Sequence, residues 1–251
     1  MGSLAAMHPP APFYELAGHL AVELPGAKAV FTTRRGGGSG GPYASLNLGF
    51  STDDDPDSAA RNRATLLANV GAPPAAFMYQ THSAEVRVLD QPAQASERAR
   101  VDGQATALAG IAPAALGADC LPIAIAGGGA VAVVHAGWRG LEGGVIAAGV
   151  WAVRELAGDD SAELGAAIGP GAGPCCYEVG PEVHARFDGY PGARHGDNLD
   201  LKAIAAAQLE AAGVSVVHDL GMCTICTPTL FFSHRRDAGV TGRQAGLAWL
   251  T

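Results

Sequence analysis

Three side chains in this sequence could bind a metal ion or act in nucleophilic chemistry: those of His82, Cys120 and His135. Each lies at or near the end of an apolar run, where a strand would give way to a loop, and strand ends hold reactive groups at fixed distances. Two imidazoles and one thiolate, with a fourth position open, match the ligand set of a catalytic zinc ion. Without metal, Cys120 and His135 could instead form a nucleophile–base pair. The pattern predicts an active site and leaves both kinds of chemistry open.

The residues around these three favour a site over plain packing. A buried cysteine is usually a small hydrophobic residue, and a single histidine at a strand end usually has a structural role. Here Asp119 precedes Cys120, and His135 begins the segment His-Ala-Gly-Trp-Arg-Gly, which combines small residues with one aromatic ring and one cation. Such a segment suits the wall of a pocket better than a core. Asp119 could orient a histidine ligand, or it could cap a turn.

Length and composition indicate a compact globular protein. The chain has 251 residues, of which 48% are hydrophobic and 16% charged, and this balance is not that of a disordered segment. The formal net charge of −8 argues against general nucleic-acid binding, which needs a basic face. No linker is visible, so we expect a single catalytic domain over residues 13–251. Residues 1–12 are small and proline-rich, and we expect them to form a disordered leader.

The segment from Cys120 to Trp138 contains no Asp, Glu, Lys or Arg, and hydropathy alone would favour a membrane span. Pro122 and the three glycines at 127–129 make a helix there costly. Two buried strands joined by a glycine turn explain the segment better, and we expect a hairpin over 121–135. The sequence also lacks a convincing targeting signal. We therefore expect a soluble, cytoplasmic protein that does not bind a membrane.

The five cysteines are Cys120, Cys175, Cys176, Cys223 and Cys226. An odd number, with one adjacent pair and one C-x-x-C, is not typical of a secreted disulfide framework. The last four could be two halves of a zinc knuckle, but adjacent cysteines rarely bind one tetrahedral ion, and the spacing differs from that of the common C-x-x-C pairs. We therefore predict that these four are structural thiols, and neither a second metal site nor an obligatory disulfide framework.

Hydrophobic patterns predict strands and helices in mixed order. We expect strands at 29–33, 77–80, 86–89, 164–168, 214–218, 230–233 and 246–250, in addition to the hairpin. We expect helices at 58–70, 144–156, 181–187 and 199–212, and a glycine-rich loop at 36–41. Hairpins mixed with isolated helices indicate an α+β fold rather than regular βαβ winding.

Many short motifs stand in the order found in one known family. They are FTTR at 31–34, SLNLG at 45–49, NR at 62–63, QTH at 80–82, ADC at 118–120, HAGWRG at 135–140, IGP at 168–170, YEVG at 177–180, CT at 223–224, FFS at 231–233, RR at 235–236 and TGR at 241–243. With them, the sequence resembles the YfiH family from about residue 30 to the C-terminus. This family is also called the laccase-domain or multicopper polyphenol oxidase family, and it is associated with purine nucleoside phosphorylase activity.

The resemblance implies a single-domain layered α/β/β/α fold, similar to cytotoxic-necrotizing-factor-type cysteine deamidases. It also implies a zinc or copper site whose ligands are His82, Cys120 and His135, which are then the expected catalytic residues. The implied activities are phosphorolysis of adenosine, guanosine, inosine and methylthioadenosine, and deamination of adenosine. One bacterial branch of the family is linked instead to editing of a peptidoglycan precursor.

Phosphorolysis needs a bound phosphate and a held ribose. Arg34 and Arg139 are the expected phosphate ligands, because a guanidinium group matches phosphate geometry with two parallel hydrogen bonds. Asn47 is expected to hold the sugar hydroxyls. Three other functions stay open: a metal-free hydrolase or amidase with Cys120 as nucleophile and His135 as base, a copper phenol oxidase, and a binding module without activity. The eight scattered histidines, with no H-x-H pair, argue against the oxidase.

Overall fold

Two six-stranded sheets lie face to face at the centre of the computed structural model, which describes residues 9–159 and 161–251. Most of the predicted leader falls on residues 1–8 and so lies outside the described residues; its assignment, like the domain boundary at residue 13, stays a prediction.

The structure contains fourteen strands within the described residues. They are β1 (Tyr14–Leu16), β2 (His19–Leu24), β3 (Ala27–Phe31), β4 (Ala75–Phe77), β5 (Val86–Leu89), β6 (Gly103–Thr106), β7 (Ala112–Gly117), β8 (Leu121–Gly127), β9 (Ala130–Ala136), β10 (Gly165–Ile168), β11 (Arg194–His195), β12 (Asn198–Leu199), β13 (Val216–Asp219) and β14 (Gln244–Leu250). The first sheet has the order β1-β2-β3-β14-β7-β4, and the second has the order β13-β10-β8-β9-β6-β5. Strands β11 and β12 form a separate two-stranded ribbon. The ladders are antiparallel except for three parallel pairs, which are β4 with β7, β5 with β6, and β10 with β13.

The described residues form five α-helices. They are α1 (Pro56–Val70), α2 (Trp138–Gly143), α3 (Val145–Ala157), α4 (Pro181–His184) and α5 (Leu201–Ala211). Of these, α1 and α5 have an aspartate side chain as N-cap. Short 3₁₀ turns lie at Gly41–Tyr43, Pro92–Ser96, Ala185–Phe187 and Pro191–Ala193. The Asp55 carboxylate accepts hydrogen bonds from the first backbone N–H groups of α1, and Gly71 ends that helix in the left-handed conformation. None of the helices in the described part of the chain has the length and apolar character that a membrane span requires.

Three apolar cores separate the layers. The core between the two sheets contains Leu20 and Val22 from one sheet and Val131 and Val133 from the other, all buried. Helix α1 covers the outer face of the first sheet, and helices α3 and α5 cover the outer face of the second. The arrangement is therefore α/β/β/α, which confirms the expected α+β layered fold.

The central hairpin confirms the prediction for 121–135. Strands β8 and β9 pair in register from Leu121 opposite Ala136 to Gly127 opposite Ala130, and every residue of both strands is buried. Gly128 and Gly129 form the two-residue turn, and both have positive φ, which glycine adopts without steric cost.

The strand predicted at 230–233 is wrong. Phe231 and Phe232 are fully buried there, as an apolar run should be, but they form no ladder with a neighbouring strand. The side chain of Gln244 replaces that ladder, because its amide accepts a hydrogen bond from the Phe232 N–H and donates one to the Phe232 carbonyl. A side-chain amide has thus satisfied the backbone groups that a partner strand would satisfy.

The strand predicted at 77–80 is displaced, since β4 ends at Phe77. Beyond that point the Gln80 side chain makes both hydrogen bonds to the backbone of Leu116 on β7, at 2.7 and 2.8 Å. The remaining predicted strands and helices fall on observed elements with shifted ends, and the 181–187 helix becomes α4 followed by a 3₁₀ turn. The hydrophobic patterns predict no strand at β1, β2, β6, β7, β11 or β12, and β7 is rich in alanine, a weak strand former.

Candidate active site

Cys120 lies in the tight connection between β7 and β8. Asp119, directly before it, has a φ of 114°, and its carboxylate accepts hydrogen bonds from the Thr224 hydroxyl at 2.6 Å and the Arg235 backbone N–H at 2.7 Å. These bonds attach the cysteine turn to two distant loops. Of the two roles considered for Asp119, the structure shows the anchoring of a turn.

His82 lies in the loop that follows β4. Because the Gln80 side chain continues the pairing with β7, the backbone is free to turn, and His82 adopts a φ of 60°. Its side chain is exposed, and it faces the buried His135 with the two ring centroids 5.0 Å apart. The turn thus directs an imidazole toward the end of β9.

His135 lies near the end of β9 and contacts a buried carboxylate. Its Nδ1 is 2.9 Å from Asp102 Oδ1, and the Asp102 side chain is fully buried. The second oxygen, Oδ2, accepts hydrogen bonds from the backbone N–H and the hydroxyl of both Thr81 and Ser83, at 2.7 to 3.2 Å. Asp102 therefore orients His135 and also holds the loop that carries His82.

The sequence analysis did not identify Asp102. It stands between Val101 and Gly103, directly before β6, in a pattern with no recognisable motif, and only the fold brings it to His135. A signal was available in principle, since a lone aspartate entering a buried strand needs a hydrogen-bonding partner.

The structure brings His82, Cys120 and His135 together, as predicted. One nitrogen of each imidazole and the Cys120 sulfur all lie within 4.8 Å of one another, and Cys120 Sγ is 3.8 Å from His82 Nε2. Gly137 packs directly against the site, since a Cβ at that position would lie 2.8 Å from the Cys120 sulfur. The first glycine of the HAGWRG segment, Gly137, is therefore required because the thiol lies so close to its backbone.

The site also shifts the pKa values of its members. Burial alone would raise the pKa of the Cys120 thiol, but the charge and hydrogen bond of His135, aided by His82, lower it to about 6. Burial would lower the pKa of His135, but the Cys120 charge and the Asp102 hydrogen bond raise it to about 9. For Asp102, the hydrogen bonds from His135, Ser83 and Thr81 overcome the effect of burial and hold its pKa far below the usual range. Cys120 and His135 thus form a thiolate–imidazolium pair at neutral pH when no metal is bound.

The three side chains open into a cavity of about 410 Å³, a size typical of small-molecule sites. Its wall combines aromatic rings with arginines, namely Phe50, Tyr79, Tyr177, Arg98, Arg235 and Arg243. Arg243 is held by hydrogen bonds from its Nη1 to the carbonyls of Thr241 and Gly242, both at 2.9 Å. Burial, together with the charge of Cys120, raises the pKa of Tyr177 to about 12, so this phenol keeps its proton at neutral pH. The cavity offers a fixed cation and a phenolic donor beside the trio.

The predicted substrate-binding residues do not line this cavity. Arg34 donates hydrogen bonds to the carbonyls of Ala44 and Pro228, and its guanidinium stacks on a phenylalanine ring. Asn47 is fully buried, and its side chain bonds to Gly49 and to neighbouring groups of the 45–54 loop. Arg139 is exposed and lies over the ring of Trp138. The structure therefore brings none of the three to the trio, and their substrate-binding role stays a prediction.

Comparison with known sequences identifies the family. The family model described as multi-copper polyphenol oxidoreductase laccase matches residues 28–251. The chain belongs to this laccase-domain, or YfiH-like, family. That confirms the resemblance seen in the sequence motifs.

Relatives of the laccase-domain chain carry a common functional name. A protein of Streptomyces coelicolor named purine nucleoside phosphorylase is 40% identical over 237 residues, which cover 90% of this chain and 96% of that protein. A Pseudomonas aeruginosa protein of the same name is 38% identical over 235 residues, covering 89% of this chain and 93% of that protein.

Solved structures show the same fold. The YfiH protein of Bacillus licheniformis superimposes with a TM-score of 0.88 at 30% identity, covering 96% of this chain and all of that one. YlmD from Geobacillus stearothermophilus gives a TM-score of 0.84 at 34% identity, covering 96% of this chain and 99% of that one. The layered architecture of this chain is thus that of the YfiH-like proteins.

Proposed function

We propose that this laccase-domain chain is a purine nucleoside phosphorylase, which converts a nucleoside and inorganic phosphate into the free base and ribose 1-phosphate. The observation that carries the proposal is the 410 Å³ cavity, which His82, Cys120 and His135 line together with arginines and aromatic rings. The names of relatives at 38–40% identity support it. We include adenosine, guanosine, inosine and methylthioadenosine among its substrates.

The cavity wall offers a place for each part of such a substrate. Phe50 and Tyr79 are 36% and 44% exposed, which is unusual for large aromatic rings, and a purine can stack on them. Arg235 and Arg243 line the cavity together with Cys120, the charges of Arg243 and Cys120 interact, and these two arginines are the proposed phosphate ligands. This assignment differs from the sequence-based one, because it follows the cavity wall.

The trio fits a metal ion. Two imidazole nitrogens and a thiolate are the donors that zinc and copper accept, and the ligand atoms already lie close together. The hydrogen bond from His135 Nδ1 to Asp102 is the contact that ligating histidines usually make through their second nitrogen. When bound, the metal supplies a Lewis acid at the cavity wall.

In the proposed reaction, a phosphate oxygen forms a bond to C1′ of the ribose as the C1′–N9 bond breaks, and the bond's electron pair leaves with the purine. Arg235 and Arg243 hold the phosphate and its charge in place. Tyr177 keeps its proton at neutral pH and can donate a hydrogen bond to the departing base. The Asp102–His135 bond fixes the imidazole that faces this chemistry.

Deamination of adenosine is proposed for the same cavity. Here water adds at C6 of the purine and ammonia leaves, which gives inosine. Phosphorolysis acts at C1′ of the ribose and deamination acts at C6 of the purine. The nucleoside must therefore bind in two different positions for the two reactions. We expect phosphorolysis and deamination to be separable by adding or omitting phosphate.

A second function is favoured by one specific observation. Cys120, His135 and Asp102 form a nucleophile–base–orienting series, with the thiol pKa lowered to about 6. Such a series, without metal, could open an amide bond through a covalent thioester on Cys120, as in cysteine hydrolases. The substrate class would be an amide-bearing peptidoglycan precursor.

The deciding experiment incubates the purified protein with each nucleoside, with and without phosphate, and follows base, ribose 1-phosphate and inosine by chromatography. Phosphate-dependent release of the base, lost on chelation and restored by zinc or copper, supports the phosphorylase. Base release that survives chelation removes the metal from the proposed mechanism. Cleavage of an amide-bearing peptidoglycan precursor, assayed in parallel, that survives chelation and is abolished by a thiol alkylator supports the cysteine hydrolase. No base release from any of the four nucleosides, with metal loaded, overturns the proposal.

A further inference from the structure

The four cysteines outside the active site lie together. The sulfur atoms of Cys175, Cys176, Cys223 and Cys226 are all within 4.8 Å of one another. The Cys176 and Cys226 sulfurs are 2.9 Å apart, those of Cys175 and Cys226 are 3.3 Å apart, and those of Cys175 and Cys176 are 3.5 Å apart. We call these four residues the sulfur cluster.

These three sulfur–sulfur separations in the sulfur cluster are all longer than a disulfide bond. A disulfide would place two sulfurs about 2.05 Å apart, and all four cysteines are free thiols. In a tetrahedral zinc–thiolate site with Zn–S bonds of about 2.3 Å, the sulfurs stand roughly 3.8 Å from one another. The separations of 3.3 and 3.5 Å fall closer to that arrangement, and the 2.9 Å separation of Cys176 and Cys226 lies between the two values.

Two loops supply the sulfur cluster, and backbone hydrogen bonds hold them together. The Gly173 N–H donates to the Cys223 sulfur at 3.3 Å, and the Thr224 N–H donates to the Gly171 carbonyl at 3.0 Å. A Cβ at Gly173 would lie 3.2 to 3.5 Å from atoms of Cys175 and Cys223, so a larger residue would crowd the sulfurs. The donation of a backbone N–H to a thiolate sulfur is a favourable, charge-assisted contact.

Adjacent cysteines can both reach this point because the chain turns sharply there. The N–H groups of Cys176 and Tyr177 both donate to the Gly173 carbonyl at 3.0 Å, which winds residues 173–177 into a tight turn. The side chains of Cys175 and Cys176 therefore do not alternate to opposite sides as they would in a strand. The expectation that adjacent cysteines rarely bind one ion does not take account of such a turn.

A cation is available to offset the negative charge of four thiolates. Lys202 on α5 is buried, and its ammonium group donates to the carbonyl of Met222, the residue before Cys223. Lys202, Cys175 and Cys223 line one shared surface cavity. A buried lysine beside the sulfurs is well placed to stabilise an anionic metal–thiolate centre.

We propose that the sulfur cluster is a structural zinc site, with Cys175, Cys176, Cys223 and Cys226 as its four ligands. Binding releases the thiol protons to solvent, and no electron transfer is involved. This proposal replaces our sequence-based expectation of structural thiols without metal. It is independent of the proposed phosphorylase function, because no residue of the sulfur cluster belongs to the trio.

The zinc would join two loops that reach the active site. Tyr177, which follows Cys176 directly, lines the active-site cavity, and Thr224, which follows Cys223, donates its hydroxyl to Asp119. Four ligands from protein leave no open position, which is typical of structural rather than catalytic zinc. The site therefore acts as a clamp on one wall of the cavity.

The Cys120→Ala variant allows a clean test, because its only remaining cysteines are the four of the sulfur cluster. The reduced variant is stripped with a chelator and titrated with Co²⁺ and then Zn²⁺. We expect one ion per chain, a thiolate-to-cobalt charge-transfer band that zinc removes, and strong protection of all four thiols from a thiol reagent. Adding Cys226→Ser to this variant should abolish the band.

Two outcomes overturn the proposal. One is that the four thiols of the reduced Cys120→Ala protein react equally fast with and without zinc, with no charge-transfer band on adding Co²⁺. The other is that protein isolated under reducing conditions shows a disulfide within the sulfur cluster by intact mass. Neither readout depends on the Cys226→Ser protein being folded, nor on any enzymatic activity.

Discussion

The active-site trio and the sulfur cluster both consist of side chains that can bind a metal ion, but the two groups differ in ligand type and in surroundings. The trio mixes two imidazoles with one thiol, opens into a cavity, and is connected to the fully buried carboxylate of Asp102. Within the described residues, the four thiols of the sulfur cluster hydrogen-bond to one another and to a backbone N–H but to no carboxylate, and Lys202 lines a cavity together with Cys175 and Cys223. Both groups lie at loops that converge near Asp119 and Tyr177.

The two groups differ in whether the fold fixes the protonation and the orientation of their side chains. At the trio, the Asp102 carboxylate fixes the tautomer and orientation of His135, which is what a reacting site requires. At the sulfur cluster, backbone hydrogen bonds gather the sulfurs, and within the described residues no carboxylate hydrogen-bonds to them, although Cys175 and Cys223 line a surface cavity. We conclude that the trio is suited to chemistry and the sulfur cluster to holding two loops together.

The largest expected effect comes from removing the thiol of the trio. Cys120→Ala should lower phosphorolysis by at least about 10³-fold, as expected for loss of a group that contacts the reacting atoms or their metal. Steady-state rates with inosine and phosphate measure this. Cys226→Ser is the matched control, since it removes a thiol from the sulfur cluster instead. Equal losses in the two variants would contradict the division into a reacting site and a structural one.

A second prediction compares the thiols directly in metal-depleted, reduced protein. Cys120 should become reactive as the pH rises through about 6, because its lowered pKa makes the thiolate available above that value. Burial and the hydrogen bond to Cys226 raise the pKa of Cys175 to about 11, so it should stay mostly protonated at pH 7. A lower-pKa thiolate is also a weaker nucleophile, which reduces the net advantage of Cys120 to about 10²-fold.

The measurement is peptide mapping after brief alkylation at a series of pH values. His135→Gln serves as the variant, because loss of the imidazolium should move the Cys120 midpoint upward. An unchanged midpoint in that variant would mean that His135 does not set the thiol pKa.

The third prediction addresses the carboxylate that only the trio possesses. Asp102→Asn should lower activity and metal affinity by roughly 10- to 100-fold, which is typical for loss of the partner of a ligating histidine. The amide can still face His135 with its oxygen, but its NH₂ group would then meet the N–H donors of Thr81 and Ser83. Metal content and kcat, measured at 25 °C on protein with a native-like circular dichroism spectrum, test this. Wild-type values for both would show that Asp102 only stabilises the fold.

Much of this contrast could be predicted from the sequence, and the remainder has clear physical causes. His82, Cys120 and His135 were identifiable because each reactive residue stands beside an apolar strand signal. The 121–135 hairpin was identifiable because two apolar runs flank three glycines. Asp102 was not, since its partner lies 33 positions away in the chain and the link exists only across the β6–β9 ladder.

The misassigned segments share one cause, which is that glutamine side chains act as substitutes for backbone partners. Gln244 satisfies Phe232, and Gln80 satisfies Leu116, so neither apolar run is a strand for its full length, although Phe231, Phe232, Phe77 and Met78 are buried. Periodicity reports burial, and it does not report which group supplies the hydrogen bonds. The close approach of all four sulfurs could not be predicted for a similar reason, because the turn at 173–177 is set by a single carbonyl, that of Gly173.

The smallest expected effect on turnover is that of opening the sulfur cluster. Cys226→Ser leaves three thiols, which weakens zinc binding but touches no group of the trio, and we expect phosphorolysis at 25 °C within about twofold of wild type. Stability should fall instead. A loss of about 2 kcal/mol in the free energy of unfolding would lower the melting temperature by roughly 4–8 °C in a protein of this size. Differential scanning calorimetry of the zinc-loaded and chelated forms provides the check.

Chelation should lower the melting temperature of the Cys120→Ala protein, in which the sulfur cluster is intact, and should have little effect when Cys226→Ser is added to it. If chelation shifts both proteins equally, the stabilising ion does not reside in the sulfur cluster, and the contrast between a reacting site and a clamping site no longer holds.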